Sequence, residues 1–303
     1  MTGRLLRTGA TLALVFVVCF LLLHALPGDP TDRLDAPGVP AEQAERTRRA
    51  LGLDRPLPEQ FVRTLVSWAR GDLGVSTTRG RPVADVLAEA LPYTAALGVG
   101  VLLLAYGTGL PLALALVVLP ERRRRRVDRV LLLLGIVPRF WLAVLLVLLL
   151  HSLAGWLPAS HAFSPGGGGV LDRLRHLVLP ALSLGLPAAC VVARYLLSVM
   201  ERVREAPHVR AARAAGSAGT RLLVRSVLLP SAGTAVALFA LDLPVLVSGG
   251  IVIETIFAWP GVGRLTAQAV LAGAVVLLGR HGAEAATRRL DPRQGGAHWE
   301  ALP

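Results

Sequence analysis

Ala95-Ala96-Leu97-Gly98-Val99-Gly100-Val101-Leu102-Leu103-Leu104-Ala105-Tyr106-Gly107-Thr108-Gly109-Leu110-Pro111-Leu112-Ala113-Leu114-Ala115-Leu116-Val117-Val118-Leu119 carries no charged side chain over 25 positions. About 20 apolar residues suffice for a helix to cross a hydrocarbon layer about 30 Å thick, so this stretch reads as a membrane span. Further runs of that kind cover residues 8–26, 130–153, 177–199 and 228–256. A sixth candidate, 265–278, has 14 residues, about 21 Å as a helix, and is too short to cross comfortably. A mean hydropathy of +0.58 with only 17% charged residues agrees with an integral membrane chain. The expected fold is all-α and polytopic, with five clear transmembrane helices plus a short or degenerate sixth.

The charge gives the orientation. All 32 basic residues are arginine, against 20 acids, and neither lysine nor asparagine occurs. A Walker A loop needs a lysine on the nucleotide phosphates, and Schiff-base or serine/lysine chemistry needs one too, so the chain is not itself a P-loop ATPase. The positive charge lies between apolar blocks, which is the pattern of membrane topology rather than of a nucleic-acid binder. Residues 120–129 hold six arginines against Glu121 and Asp128, and residues 200–227 hold six against Glu201 and Glu205; both loops are placed in the cytoplasm. The 68-residue loop 27–94, with nine arginines against ten acids, is placed outside. Arg4 and Arg7 before the first run then make 1–26 an uncleaved signal-anchor helix with its N-terminus in the cytoplasm. The remaining divisions are a transmembrane core 95–279, which includes the cytoplasmic loop 200–227, and a polar tail 280–303.

Chemistry-bearing clusters are sparse. Cys19 and Cys190 stand 171 positions apart in apolar runs, and seven histidines show no ligand spacing, so neither a disulfide nor a metal site is expected. His151 and Ser152 lack an accompanying acid or oxyanion motif. No catalytic residue and no cofactor is expected. Charges at bilayer depth face an aqueous path or a partner, which singles out Arg139 beside Pro138, Asp242 beside Pro244, and Glu254 at the end of the fifth run as candidate pore or gate residues. Arg194 reads as a boundary anchor.

The cytoplasmic segment Pro207-His208-Val209-Arg210-Ala211-Ala212-Arg213-Ala214-Ala215-Gly216 has proline at a helix start, alanines among arginines and a glycine stop. It describes a short helix with a nearly side-chain-free face. This segment, followed by Leu228-Leu229-Pro230, resembles the EAA-type coupling loop of the dipeptide/oligopeptide/nickel permeases of ABC importers. The resemblance continues through Leu26-Pro27-Gly28-Asp29-Pro30, Leu51-Gly52-Leu53-Asp54-Arg55-Pro56, Gly71-Asp72-Leu73-Gly74-Val75-Ser76, Arg81-Pro82-Val83 and Pro138-Arg139-Phe140-Trp141. Gly155-Trp156-Leu157-Pro158-Ala159-Ser160, His176 to Leu182 and Glu254 to Arg264 complete the series.

The resemblance implies a type I importer permease that pairs with a homologous second permease subunit. Two cytoplasmic ABC ATPase subunits lie beneath such a pair, and an extracytoplasmic solute-binding protein delivers peptides or a similar solute such as nickel. It implies location in the bacterial inner (plasma) membrane and assigns Arg210, Ala211, Ala212, Arg213, Ala214, Gly216 and Pro230 to the ATPase-coupling loop. The chain departs from the family at Ala215, usually lysine, at Ser226, usually asparagine, and at Leu197, often arginine. Only 20 residues separate Val270 from Asp291-Pro292-Arg293, about half of what the resemblance implies. A shortened sixth helix is therefore expected. The alternatives are an ATP-independent secondary transporter or channel, whose inverted repeats and multiple intramembrane acids are not visible, and a degenerate non-transporting membrane subunit.

Overall fold

A computed structural model of the chain describes residues 2–25, 42, 55–76, 79–166 and 168–271. These residues are helical with one isolated bridge between Val75 and Pro82. Two compact units divide the chain, one of residues 1–86 and 268–303, the other of residues 87–267.

In the first unit, α1 (Thr2–Ala25) and α2 (Leu57–Ala69) meet through aromatic rings. Phe16 lies 5.3 Å from Phe61 and 5.1 Å from Trp68, and Phe20 lies 5.2 Å from Phe61, edge to face. Such pairs add to what their buried area alone contributes. Two of the quoted motifs then pair with each other. The Ser76 N–H donates to the Arg81 carbonyl and the Val83 N–H to the Gly74 carbonyl, while Asp72 Oδ1 accepts from the Gly74 N–H at 2.9 Å. Gly74 sits at φ +78°, which the turn requires and which favours glycine.

Helix α3 (Val83–Val117) takes in residues 95–117 of the uncharged apolar stretch 95–119. The following elements are α4 (Glu121–Gly135), α5 (Arg139–Leu146) with a π-helical extension (Val147–Leu153), and α6 (Val170–Arg204). Then come α7 (Pro207–Ala214), α8 (Gly219–Leu222) running through a π-helical segment (Leu223–Leu228), and α9 (Leu229–Ile256). In the second unit α6 is the centre: 67% of its most apolar window is buried, against 28% for α3 and 11% for the helix over Gly219–Leu243. It packs against α4, α5 and α9.

Glycines set the crossing of α3 with α6. A Cβ at Gly109 would stand 2.9 Å from the Ala189 carbonyl oxygen, and one at Gly185 would stand 2.6 Å from Leu104 Cδ2. Small residues let backbones approach where lipid gives no hydrophobic drive for association.

The expected five clear spans and a sixth are not confirmed among the described residues. Three described helices are long and apolar enough to cross a membrane, Val83–Val117, Val170–Arg204 and Gly219–Leu243. A fourth arises if Glu121–Gly135 and Arg139–Leu153 are one span, but they bend by 92°. The expected straight span over 130–153 is thus two helices. Pro138 supplies no N–H and its ring excludes the preceding turn, so α4 ends at Gly135 and α5 restarts at Arg139 with Pro138 as its N-cap. The arginine run at 122–126, read as a loop, is the first turns of α4. The end of the sixth candidate, 272–278, and the tail 280–303 lie outside the described residues.

Candidate functional site

Two ion pairs tie α4 to α6. Arg194 Nε donates to Asp128 Oδ1 at 2.7 Å, and Arg124 meets Glu201 at 2.9 Å. Arg204, at the end of α6, donates to the Val117 carbonyl at the end of α3. The boundary role read for Arg194 therefore has a specific partner.

Helix α7 sits on this platform. Pro207 takes its first position, where a missing N–H costs nothing. Val209 is completely buried in the cluster of Leu116, Val117, Met200 and Val227. That single apolar anchor leaves Arg210, Ala211, Arg213 and Ala214 exposed, with Ala212 half-buried. The stop is a Schellman motif: the Ser217 N–H donates to the Ala212 carbonyl, the Gly216 N–H to the Arg213 carbonyl, and Gly216 takes φ +84°. Open space surrounds Gly216, so the glycine is required by backbone conformation and not by crowding.

Pro230 ties α7 to the next helix. In a regular helix the Ser226 carbonyl would accept from the N–H four residues on, which is Pro230 and has none. The backbone widens into the π-helical segment Leu223–Leu228 just before it. His208, on α7, fills the gap: its Nε2 donates to the Ser226 carbonyl at 3.1 Å. Sequence reading assigned Pro230 and passed over His208, whose partner is set by a proline 22 positions away.

The candidate pore residues separate into two groups. Arg139 and Asp242 line one small pocket of about 20 Å³ with Val101, Leu102, Ala105, Leu184 and Ala188. They form no ion pair with each other among the described residues. Asp242 Oδ2 instead accepts from the Tyr106 hydroxyl at 2.6 Å, and the Tyr106 ring packs edge-on against Phe239 with centroids 5.6 Å apart. Tyr106 was also missed, although a hydroxyl within the apolar run 95–119 was a legible signal.

Glu254 is buried and clasped. Oε1 accepts from the Thr94 hydroxyl at 2.8 Å and Oε2 from the Arg264 N–H at 2.9 Å. The Thr94 oxygen accepts in turn from the Val262 N–H at 2.8 Å. The loop Ala258 to Gly263 wraps this carboxylate, with the Trp259 indole N–H donating to the Tyr93 carbonyl and the Arg264 guanidinium to the Ala258 carbonyl. The wrap is tight enough that a Cβ on Gly261 would lie 2.4 Å from the Glu254 carboxyl carbon. One side of Glu254 still borders a larger hollow of about 290 Å³, walled mainly by apolar residues of α3 together with Leu184, Leu243 and Gly250. The two hollows share Val101, Leu102 and Leu184. Among the described residues no group of His, Cys, Asp or Glu has the arrangement to hold a metal ion.

A helical membrane core, an exposed alanine-arginine helix at one end and, within the core, a mainly apolar hollow bordered by Thr94 and Glu254 fit a transport subunit. The family model described as binding-protein-dependent transport system inner membrane component matches residues 105–276, and the N-terminal model of the same system's membrane component matches residues 1–98. The chain belongs to this family, the permeases of binding-protein-dependent ABC import systems of the dipeptide/oligopeptide type. It is similar to the glutathione transport system permease protein GsiC of Escherichia coli strain K12, with 34% identity over 268 residues, 88% of this chain and 85% of that protein. The protein of the same name from Salmonella paratyphi A matches at 34% identity over 268 residues with the same coverage. The chain is accordingly a multi-pass inner-membrane component of a transport system.

Proposed function

We propose that this chain forms half of the transmembrane pore of an ATP-driven importer and is moved by a separate ATPase through α7. The observation that carries the reading is the exposed Arg210-Ala211…Arg213-Ala214 face, held at one point by the buried Val209 and tied by His208 to the π-helical segment that leads into α9. Small side chains let a partner approach the helix backbone, and the two guanidiniums reach carboxylates bidentately. A push on α7 passes through His208 and Val209 toward α9 and α6, two of the four helices that wall the Asp242 pocket. Arg139, Asp242 and Glu254 are the pore or gate residues in this reading. The solute is a peptide or peptide-like molecule, in keeping with the relatives' name, with nickel as a further member of the family's range. The second permease, the two ATPases and the binding protein are its partners. The N-terminus, the arginine-rich start of α4 and α7 lie in the cytoplasm, and 27–94 faces outside.

The test is co-purification of the tagged chain with an ATPase whose hydrolysis rises on adding the binding protein. Ala211→Trp with Ala214→Trp should abolish that rise while leaving the thermal stability of the permease unchanged, since both side chains face outward. Full stimulation in the double variant would remove α7 from the coupling path.

A further inference from the structure

The Arg139 guanidinium has an unusual position. It opens α5 after a 92° break in a membrane helix pair, it is half-buried, and among the described residues it has neither hydrogen-bond nor ion-pair partner. Arginine in a membrane core is costly unless it meets an anion, a carbonyl or water. The nearest acid sharing its pocket, Asp242, is oriented elsewhere by the 2.6 Å hydrogen bond from Tyr106. The other walls are the apolar side chains of Val101, Leu102, Ala105, Leu184 and Ala188. A pocket of about 20 Å³ takes a terminal group and not a whole solute. It shares three walls with the hollow of about 290 Å³, which has room for the rest.

We propose that Arg139 receives a carboxylate group of the transported solute in the small pocket that adjoins this hollow. The reading rests on the importer function above and names the chemistry of its cargo at one residue. A guanidinium presents two parallel N–H donors that match a carboxylate, and low-dielectric walls strengthen the contact. Tyr106 is the positioning residue: by holding the Asp242 carboxylate it keeps Asp242 from neutralising Arg139. Asp242, on the same pocket, is left to accept N–H groups of the same solute, so the pair suits a peptide end, where carboxylate and N–H groups lie a few atoms apart.

The experiment uses the full chain in membranes, with Cys19→Ser and Cys190→Ala as background and a reporter thiol at Ala188→Cys or Leu102→Cys on the pocket wall. Modification by the anionic sulfonatoethyl methanethiosulfonate should outpace that by the cationic trimethylammonioethyl reagent. Arg139→Gln should lower that ratio by about tenfold, the scale of one removed charge at this range, while Arg139→Lys keeps most of it. N-acetylglycine should slow modification and N-acetylglycinamide should not, and in Arg139→Gln neither should. An unchanged ratio, equal or absent protection by the two probes, or thiols unreactive at both positions would overturn the proposal. The readout needs no ATPase or binding protein. Its failure leaves the importer reading standing, and failure of binding-protein-stimulated hydrolysis overturns the importer reading without altering these rates.

Discussion

Glu254 illustrates how one buried charge organises a loop. Its carboxylate is 1% exposed, and the Thr94 hydroxyl and the Arg264 N–H each satisfy one of its oxygens. A buried charge is tolerated only when so paired. Thr94→Val keeps the shape but deprives one carboxylate oxygen, and the Val262 N–H, of their partner; a loss of roughly 1–3 kcal/mol follows for a buried unsatisfied group. Gly261→Ala places a methyl 2.4 Å from the carboxyl carbon, and overpacking of this kind costs typically 1–3 kcal/mol. Thermal melting of the purified permease in detergent should show both as lowered midpoints. A Gly261→Ala protein as stable as the wild type would mean that the loop does not close on Glu254 as described.

At the scale of elements, the break before α5 and the π-helical segment before α9 each coincide with a proline, Pro138 and Pro230. Pro230→Ala restores an N–H for the Ser226 carbonyl, removes the reason for the π-helical segment and releases His208. The expected outcome is an ATPase-bound complex that hydrolyses ATP with transport reduced several-fold, and His208→Ala should reproduce it; normal transport in both would separate this joint from coupling. The α3–α6 crossing gives a second case. Gly109→Leu meets the Ala189 carbonyl and Val192, and should lower the yield of folded protein in membranes, whereas Gly107→Leu, in open space, should not. These contrasts show what was legible. Helix existence and the short alanine-arginine helix Pro207–Ala214 could be read from apolar runs and a glycine stop because both are local signals. The 92° break at Pro138 was written in the sequence, yet a continuous apolar run over 130–153 outweighed it. The partners of Arg194, His208 and Asp242 were not legible, since they lie 66, 18 and 136 positions away and only packing brings them together.

On the scale of the whole molecule, the burial is lopsided. Helix α6 is enclosed by α4, α5 and α9, while α3 and the helix over Gly219–Leu243 keep most of their apolar surface uncovered. Lipid can cover any such surface, so exposure alone does not identify a partner face. The hollow does. Its wall includes Val99, 55% exposed, and Leu243, 45% exposed, alongside the polar Thr94 and Glu254, and an opening lined partly by polar groups is not a surface that lipid chains seal well. A second subunit set against this side would complete a conduit and shield those groups. By contrast Leu133 on α4, 62% exposed, lies outside the walls of both hollows and should meet lipid. In a background lacking Cys19 and Cys190, Val99→Cys or Leu243→Cys should therefore cross-link through a bifunctional maleimide to the co-expressed second permease. Leu133→Cys should remain uncoupled under the same conditions. Coupling at Leu133 in preference to Val99 and Leu243 would place the subunit interface on α4, and the hollow would then open to lipid instead of to a pore.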